Sequence, residues 1–308
     1  MSFRSTIRDP RYSATLSAMK ATTFEILRCP ACAAPLTSVA AESEDASLKC
    51  TGCEVSYAMR NGIPRLVHPP EAAPADDEDA VSYDELIRWL SDLLGGDERA
   101  TRDALVHKLE LEPGDRVLEI ACGTGSNFPD LARGIGPNGE IVGLDLSESM
   151  IEQASLKGAQ IDCSIDLVTA NALHLPFADR SFDAVLHIGT INRFGDVPRA
   201  LREMARVAKE GAKVVVCDEG VAPWLLAHEH GRDLRKISEL FAYQPPIGAL
   251  PAVAQEVALS WVLGNAFYVF DFRVGVPPVL RRDLKMFGWS GSVADFLARR
   301  GSRTDSER

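Results

Sequence analysis

Four of the seven cysteines in this 308-residue chain have the spacing of ligands to one metal ion. Cys29 and Cys32 form one CxxC pair, and Cys50 and Cys53 form a second pair after seventeen intervening residues. Two such pairs at this separation predict a tetrahedral four-thiolate zinc site. Because thiolates fill all four positions, the site is closed to substrate and the zinc is predicted to be structural. It would supply folding energy that a segment of about forty residues cannot obtain from its own core.

A second group of residues that could do chemistry surrounds a glycine-rich turn. Gly123 and Gly125 follow the apolar run 116–121, and Asp145 ends another apolar run twenty residues after Gly125. A strand, a glycine-rich turn and a helix form the nucleotide-binding opening of a doubly wound sheet. A carboxylate at the end of the next strand can accept hydrogen bonds from both ribose hydroxyls. A dinucleotide dehydrogenase would share these features.

Two positions separate a sulfonium methyl donor from a dinucleotide. Phe128 stands where the dinucleotide motif has its third glycine. Glu119, at the end of the first predicted strand, offers an anion to an ammonium group, whereas a pyrophosphate needs the N-terminus of a helix close by. Together these positions favour S-adenosylmethionine as the cofactor.

The surrounding sequence supplies the elements that would position these residues. Periodicity predicts helices at 82–94 and 98–110 and strands at 116–121, 140–145 and 213–218. A third strand is predicted to end in the stretch 167–177, and a fourth to begin in the stretch 181–187. Two β-rich runs around a Gly-Asn dipeptide predict an antiparallel hairpin over residues 257–274. A last antiparallel pair of this kind distinguishes class I methyltransferases from dehydrogenases.

The spacing of the five strand blocks resembles that of the methyltransferases of ubiquinone and menaquinone biosynthesis, the methyltransferase type 11 family, over residues 115–220. The resemblance implies an α/β fold, namely a doubly wound seven-stranded class I methyltransferase sheet with an antiparallel C-terminal hairpin, plus a small N-terminal zinc ribbon. It also implies cofactor contacts from Glu119, Ala121, Gly123, Gly125, Asn127, Asp145, Leu146, Met150, Asn171, Ala172 and His187.

The resemblance further assigns roles around the adenosine. Asp145 would take the ribose hydroxyls, and Leu146 with Met150 would cover the adenine, although both could instead be core residues of a helix. Asn171 and Ala172 would read the adenine edge. The family often has aspartate at position 171, but an asparagine carbonyl can still accept from the adenine amino group.

The sequence does not fix a catalytic base. Methyl transfer from a sulfonium is an in-line displacement, so the enzyme mainly positions two reactants and can remove a proton from the acceptor. His187 is either a core histidine or a base that faces the substrate. The candidates are His187, Asn192, Glu219, His174, His228 and His230.

The cysteine-containing segment, residues 24–67, has a resemblance of its own. Its aromatic residue and Asn-Gly-Ile-Pro tail resemble the zinc ribbon of the small activator subunit that partners several methyltransferases. That resemblance raises two expectations for the ribbon, a protein partner or a homodimer formed through it.

The sequence divides into segments with different expected roles. We expect a disordered or extended segment at 1–23, the ribbon at 24–67, a linker at 68–80, the methyltransferase domain at 81–290 and a tail at 291–308. Within the domain, an amphipathic stretch at about 221–250, which contains Trp224 and Phe241, is expected to cover the substrate.

Charge and hydropathy limit the partners. The formal net charge of −11 repels phosphate backbones and anionic lipid heads unless a basic patch is segregated from the rest. No apolar run approaches the roughly 20 residues of a membrane span, so a cytoplasmic location is expected. The leading hypothesis is methyl transfer to an O, N, S or C nucleophile of a small molecule. The alternatives are an RNA base methyltransferase with a zinc ribbon, which the acidic charge disfavours, and a non-catalytic adaptor.

Overall fold

The computed structural model describes residues 19–39, 47–72 and 80–304. The chain divides into two compact units, one ending at Gly275 and one beginning at Val276. Most of the predicted N-terminal segment, residues 73–79 of the predicted linker and the last four residues lie outside the described residues. Within the described residues, no helix is both long enough and apolar enough to cross a membrane.

The larger unit is built of helices and strands, and the last helix belongs to the C-terminal unit. The helices are α1 (Ala21–Ile26), α2 (Ala80–Leu93), α3 (Glu98–His107), α4 (Phe128–Ile135), α5 (Glu148–Gly158), α6 (Val197–Val207), α7 (Glu229–Ile237) and α8 (Val293–Thr304). The N-terminal strands are β1 (Leu36–Val39), β2 (Ser47–Cys50), β3 (Ser56–Arg60) and β4 (Ile63–Leu66). The remaining strands are β5 (Arg116–Ile120), β6 (Glu140–Asp145), β7 (Ser164–Ala170), β8 (Phe182–Ile188), β9 (Ala208–Glu219), β10 (Ala254–Val262) and β11 (Phe267–Val274).

All the strands named above join one sheet in the order β1-β2-β3-β4-β7-β6-β5-β8-β9-β11-β10. Strands β5 to β9 are parallel, and β11 lies antiparallel between β9 and β10. The seven strands β5 to β11 therefore form the predicted class I sheet with its antiparallel hairpin. The sheet has more strands than predicted because the four ribbon strands extend it.

The ribbon joins the central sheet directly rather than through a free linker. Strand β4 pairs in parallel with β7, with Arg65 opposite Thr169 and Leu66 opposite Ala170. Residues just before the ribbon are also fixed, because the buried Thr23 hydroxyl donates to Asp166 at 2.5 Å. The expectation of a disordered or extended segment up to residue 23 was therefore wrong for its last residues, where α1 begins.

The central strands are buried on both faces, which explains why they appear in the sequence as continuous apolar runs. Leu118 and Ile120 of β5, Val142 of β6 and Val185 of β8 are all fully buried. This core fixes the carboxyl ends of the strands, where open α/β sheets bind ligands.

Residues 221–250 hold α7 and three short 3-10 turns. Phe241 is buried with Leu234, Val221 and Ala266, whereas Trp224 is more than half exposed and packs edge-on against Trp261. Phe241 therefore belongs to the core of this stretch. The expectation that the stretch covers the substrate stays a prediction.

The C-terminal unit contains α8 where the sequence predicted a tail, and the expectation of a tail from residue 291 is corrected accordingly. Ser292 and Asp295 cap the helix reciprocally, since the Asp295 carboxylate accepts from the Ser292 backbone N–H at 2.9 Å. An edge-on contact between Trp289 and Phe296 holds the preceding loop against the helix. These interactions are local, and they offset the weak helix propensity of a Gly- and Ser-containing end.

Candidate functional site

The glycine-rich turn leaves β5 in a conformation that few residues can adopt. Gly123 and Gly125 have φ values of 53° and 76°, in the left-handed region. A side chain at Gly125 would also meet the Phe128 ring, because a Cβ there would lie 2.5 Å from it. Phe128, which takes the place of the third glycine of a dinucleotide motif, is fully buried beneath the turn.

Asp145 lies at the end of β6 and faces this turn. Its carboxylate accepts from the backbone N–H of Gly123 at 2.8 Å and from that of Ser147 at 2.9 Å. These bonds hold the carboxylate beside the glycine-rich turn, and its role toward a ribose stays a prediction.

Glu119 is the most unusual group in the site, because one of its carboxylate oxygens is buried without a partner. Oε1 accepts from Asn127 Nδ2 at 2.6 Å, whereas Oε2 has no hydrogen-bond donor among the described residues. Burial raises the pKa of Glu119 to about 7. A buried, unsatisfied carboxylate oxygen costs free energy that a bound cation would recover.

Arg102 of α3 completes this polar cluster, and the sequence analysis missed it. Its Nη1 donates to Asn127 Oδ1 at 2.8 Å, and its Nε donates to Glu98 at 2.9 Å. Asn127 thus links the cation of Arg102 to the carboxylate of Glu119. The only signal in the sequence was an arginine on the helix before β5, which many proteins have.

Two cavities flank the turn. One of about 460 Å³ is lined by Asp145, Leu146, Met150, Asn171 and Ala172. The other, of about 90 Å³, is lined by Glu119, Asn127, Arg102 and Glu219 together with apolar side chains. Ala121, Gly123 and Ile188 line both.

The predicted cofactor residues therefore come together, apart from two. Gly125 and His187 line neither cavity. Gly125 acts through the shape of the turn. Leu146 and Met150, for which a pure core role was the alternative, both line the larger cavity.

His187 lies in the core beneath the site. It is completely buried, its Nδ1 lies 2.9 Å from the Ile120 carbonyl oxygen, and burial lowers its pKa to about 4. A neutral imidazole that lines neither cavity favours the core interpretation of this residue, although its Nε2 has no hydrogen-bond partner among the described residues. His174, His228 and His230 line neither cavity as well.

Asn192 and Glu219 are hydrogen-bonded to each other at the end of β9, but their side chains have different surroundings. The amide of Asn192 donates to the Glu219 carbonyl oxygen at 2.7 Å, and its oxygen accepts from the Tyr268 hydroxyl at 2.7 Å. Both polar atoms of the Asn192 side chain therefore form hydrogen bonds that hold the end of β9. Burial and the neighbouring Glu219 raise the pKa of Asp218 to about 9, and its carboxylate accepts from backbone N–H groups. Among these three residues, only Glu219 lines the smaller cavity.

Hydrogen bonds and an ion pair of Asp84 hold α2 against the glycine-rich turn. The Asp84 carboxylate accepts from Thr124 Oγ1 at 2.7 Å and from Lys157 Nζ at 2.7 Å. Although desolvation alone would raise the pKa of Asp84, these hydrogen bonds lower it. Consequently, α2 places Ile87 and Leu90 in the wall of the smaller cavity.

The four predicted zinc ligands come together in the ribbon. Their sulfur atoms all lie within 4.8 Å of one another, with Cys29 and Cys53 at 3.7 Å and Cys32 and Cys50 at 3.4 Å. A tetrahedral zinc ion with Zn–S bonds of about 2.3 Å requires sulfur separations near 3.8 Å. The cluster can therefore bind one zinc ion, as the spacing predicted.

Contacts from the ribbon and from the residue just after it reach α5 and the larger cavity. The Asn171 side-chain amide donates to the His68 carbonyl oxygen at 3.2 Å, and its oxygen accepts from the Leu173 N–H at 3.0 Å. Arg60 and Arg65 both pair with Glu148 at the start of α5. An aspartate at position 171 could not donate to His68, so asparagine there suits a chain with this ribbon.

Asn171→Asp is accordingly expected to lower the free energy of unfolding by about 1 kcal/mol, because it removes the hydrogen bond to His68. Chemical denaturation followed by circular dichroism measures this change. Asn138→Asp is the matched control, since Asn138 is exposed. Equal stabilities of the two variants would contradict the proposed link.

Comparison with known proteins assigns the family. The model described as a methyltransferase domain matches residues 118–216, and the model described as Trm112p-like protein matches residues 20–62. A demethylmenaquinone methyltransferase from Staphylococcus carnosus is 31% identical over 189 residues, which cover 61% of this chain and 74% of that protein. The chain belongs to the methyltransferase family.

Other relatives agree with this assignment. A 2-phytyl-1,4-naphtoquinone methyltransferase from Trichormus variabilis is 36% identical over 144 residues, which cover 46% of this methyltransferase family member and 62% of that protein. The chain thus spans about three fifths of the first curated relatives it matches. One chain of a complex between the Haloferax volcanii Trm112 methyltransferase activator and a protein described as a methyltransferase has a TM-score of 0.50 at 18% identity. That match covers 66% of this chain and 100% of that one, and it supports the fold alone.

Proposed function

We propose that this protein is an S-adenosylmethionine-dependent methyltransferase that acts on a small, quinone-type acceptor. The observation that carries the proposal is the buried Glu119 carboxylate, whose unpartnered oxygen needs a cation at the methionine end of the turn. Two relatives are named for quinone substrates, which suggests the acceptor class.

The residues present fit the donor along its whole length. Glu119 would bind the ammonium group, Arg102 the carboxylate and Asp145 the ribose hydroxyls. The apolar side chains of Leu146 and Met150 would lie against the adenine in the larger cavity. When bound, the donor supplies an electrophilic methyl group on a sulfonium.

The smaller cavity, where Glu119 and Arg102 would hold the methionine end of the donor, also presents apolar surface and one further carboxylate to an acceptor. Leu90, Leu263 and Phe267 contribute apolar surface, and Glu219 contributes a carboxylate at the end of β9. We propose that Glu219 accepts the proton that a hydroxyl or ring carbon of the acceptor loses as it is methylated. The apolar walls would limit the access of water and fix the line of attack.

The ribbon is proposed to serve its own catalytic domain. Its strand β4 already pairs with β7 of the same chain, and Arg60 and Arg65 bind Glu148 of the catalytic domain. A separate protein partner, a homodimer through the ribbon and a cytoplasmic location remain predictions.

One experiment tests the activity directly. The purified protein is incubated with labelled S-adenosylmethionine and either a reduced demethylated naphthoquinone or total RNA. We expect label in the quinone product and in no RNA. Label in RNA alone would replace this proposal with nucleic-acid methylation, and no donor binding by mass spectrometry would leave the adaptor hypothesis.

Asp145→Ala is expected to weaken donor binding by about 2–3 kcal/mol, roughly 30- to 150-fold, because charge-assisted hydrogen bonds to the ribose are lost. Isothermal titration calorimetry with S-adenosylmethionine measures the loss. Asp162→Ala, which removes an exposed carboxylate, is the control. Unchanged affinity in Asp145→Ala would place the ribose elsewhere.

A further inference from the structure

The C-terminal unit has a charge opposite to that of the rest of the chain. The unit, residues 276–308, contains seven Lys or Arg and four Asp or Glu, a formal charge of +3, which leaves −14 on the other residues of a chain whose net charge is −11. This is the segregated basic patch that would overcome the general repulsion of anionic surfaces.

The same unit exposes large apolar side chains. Val279 and Leu280 are 86% and 68% exposed, and Phe287 is fully exposed. Single exposed apolar residues are ordinary, but a cluster within nine residues marks an interaction surface. We call the exposed residues from Val279 to Phe287 the basic-apolar surface.

The loop geometry keeps Phe287 exposed. An isolated bridge between Lys285 and Ser292 closes a tight loop, and Gly288 has a φ of 74° at its tip. Trp289 folds back onto Phe296, with the Arg299 guanidinium 5.2 Å from the Trp289 ring centre. Trp289 and Phe296 pack against each other within the unit, whereas Phe287 stays exposed at the tip of the loop.

Basic residues alternate with these apolar residues along the sequence. Arg281 pairs with Asp283 at 2.9 Å, whereas Arg282 and Lys285 have no ion-pair partner in the part of the chain that the structure describes. All three basic side chains are exposed. Free cations beside protruding apolar groups match the two layers of a bilayer interface, where phosphate heads overlie acyl chains.

We propose that the basic-apolar surface docks the protein on the surface of a membrane that contains anionic lipids. Phe287 and Leu280 enter the boundary between head groups and acyl chains, while Arg282 and Lys285 bind lipid phosphates. A nucleic acid would use the cations but leave the aliphatic side chains without a function. Docking goes beyond the proposed methyl transfer, and it would hold the protein at the surface of a phase in which an apolar, quinone-type acceptor dissolves.

Vesicle flotation with the full chain tests this proposal. Vesicles of phosphatidylcholine alone are compared with vesicles of phosphatidylcholine and phosphatidylglycerol. We expect binding to the anionic vesicles alone, weakening as salt rises. The double variants Leu280→Ser/Phe287→Ser and Arg282→Glu/Lys285→Glu should each bind at least about tenfold less, with unchanged circular dichroism.

Matched controls separate this surface from general changes in hydropathy and charge. Val257→Ser removes a half-exposed apolar residue of β10, and Arg99→Glu/Arg202→Glu makes the same charge change on exposed helix positions. Both should bind like the native chain. The proposal is overturned if the native chain fails to float with anionic vesicles, if both loop variants float normally, or if the protein binds RNA but no vesicles. Because flotation involves no methyl transfer, these failures would leave the proposed activity standing.

Discussion

Cys50→Ser is expected to abolish tight zinc binding and to unfold the ribbon. Cys50 is buried, and its thiolate accepts from the backbone N–H groups of Gly52 and Cys53 at 3.3 and 3.4 Å. Structural zinc sites in small finger peptides contribute on the order of 10–16 kcal/mol, so the loss of one ligand exceeds what the small ribbon core can offset. The zinc content measured by elemental analysis should fall from one ion per chain to almost none. Hydrogen exchange should rise most in β2, β3 and β4.

Cys163→Ser is the control for this prediction. Cys163 is a half-buried thiol outside the ribbon, and its sulfur contacts only backbone carbonyl oxygens among the bonds described. Zinc content and ribbon exchange should stay native in this variant. Retention of one tightly bound zinc in Cys50→Ser would show that the four-thiolate site is not the metal site. Donor affinity should change less than ribbon stability, since the charged contacts proposed for the donor all come from the catalytic domain.

Glu219→Gln is expected to lower kcat by at least about 100-fold while leaving the dissociation constant of the donor unchanged. General-base catalysis contributes about 10² to 10⁴ in rate, and glutamine keeps the shape of the side chain without accepting a proton. The readout is single-turnover methyl transfer to a reduced demethylated naphthoquinone, with donor binding measured separately by calorimetry. Separate measurements distinguish a lost proton acceptor from a distorted cofactor site.

Glu210→Gln makes the same substitution at the exposed opposite end of β9 and should leave kcat native. Glu219→Asp, which retains a shorter carboxylate, should recover part of the rate. A Glu219→Gln enzyme with native kcat would assign proton removal to the solvent or to the acceptor itself. It would leave the donor site as described.

Local patterns made much of this site predictable. The glycine-rich turn, Asp145 and the cysteine pairs each depend on a few neighbouring residues, and the resemblance then identified Leu146 and Asn171. The doubly wound sheet was predictable because parallel strands with alternating helices have few alternative arrangements.

The missed features depend on helices whose positions no local pattern specifies. Sequence periodicity predicted α2 and α3, but not that Asp84 would hold Thr124 or that Arg102 would reach Asn127. The link from Asn171 to His68 joins residues 103 positions apart. His187 was ambiguous for a similar reason, because whether a strand-end histidine faces a ligand or the core depends on tertiary packing.

The pairing of β4 with β7 also has a consequence for solubility. An outermost parallel strand such as β7 would otherwise present unpaired N–H and C=O groups, which are templates for aggregation with other chains. Here β4 covers the end of that edge beside Ala170, and Thr23 binds Asp166 farther along it. A chain that lost the ribbon would thus lose the cover of its own sheet edge. Natural β-sheet proteins commonly prevent self-association by covering an edge in this way.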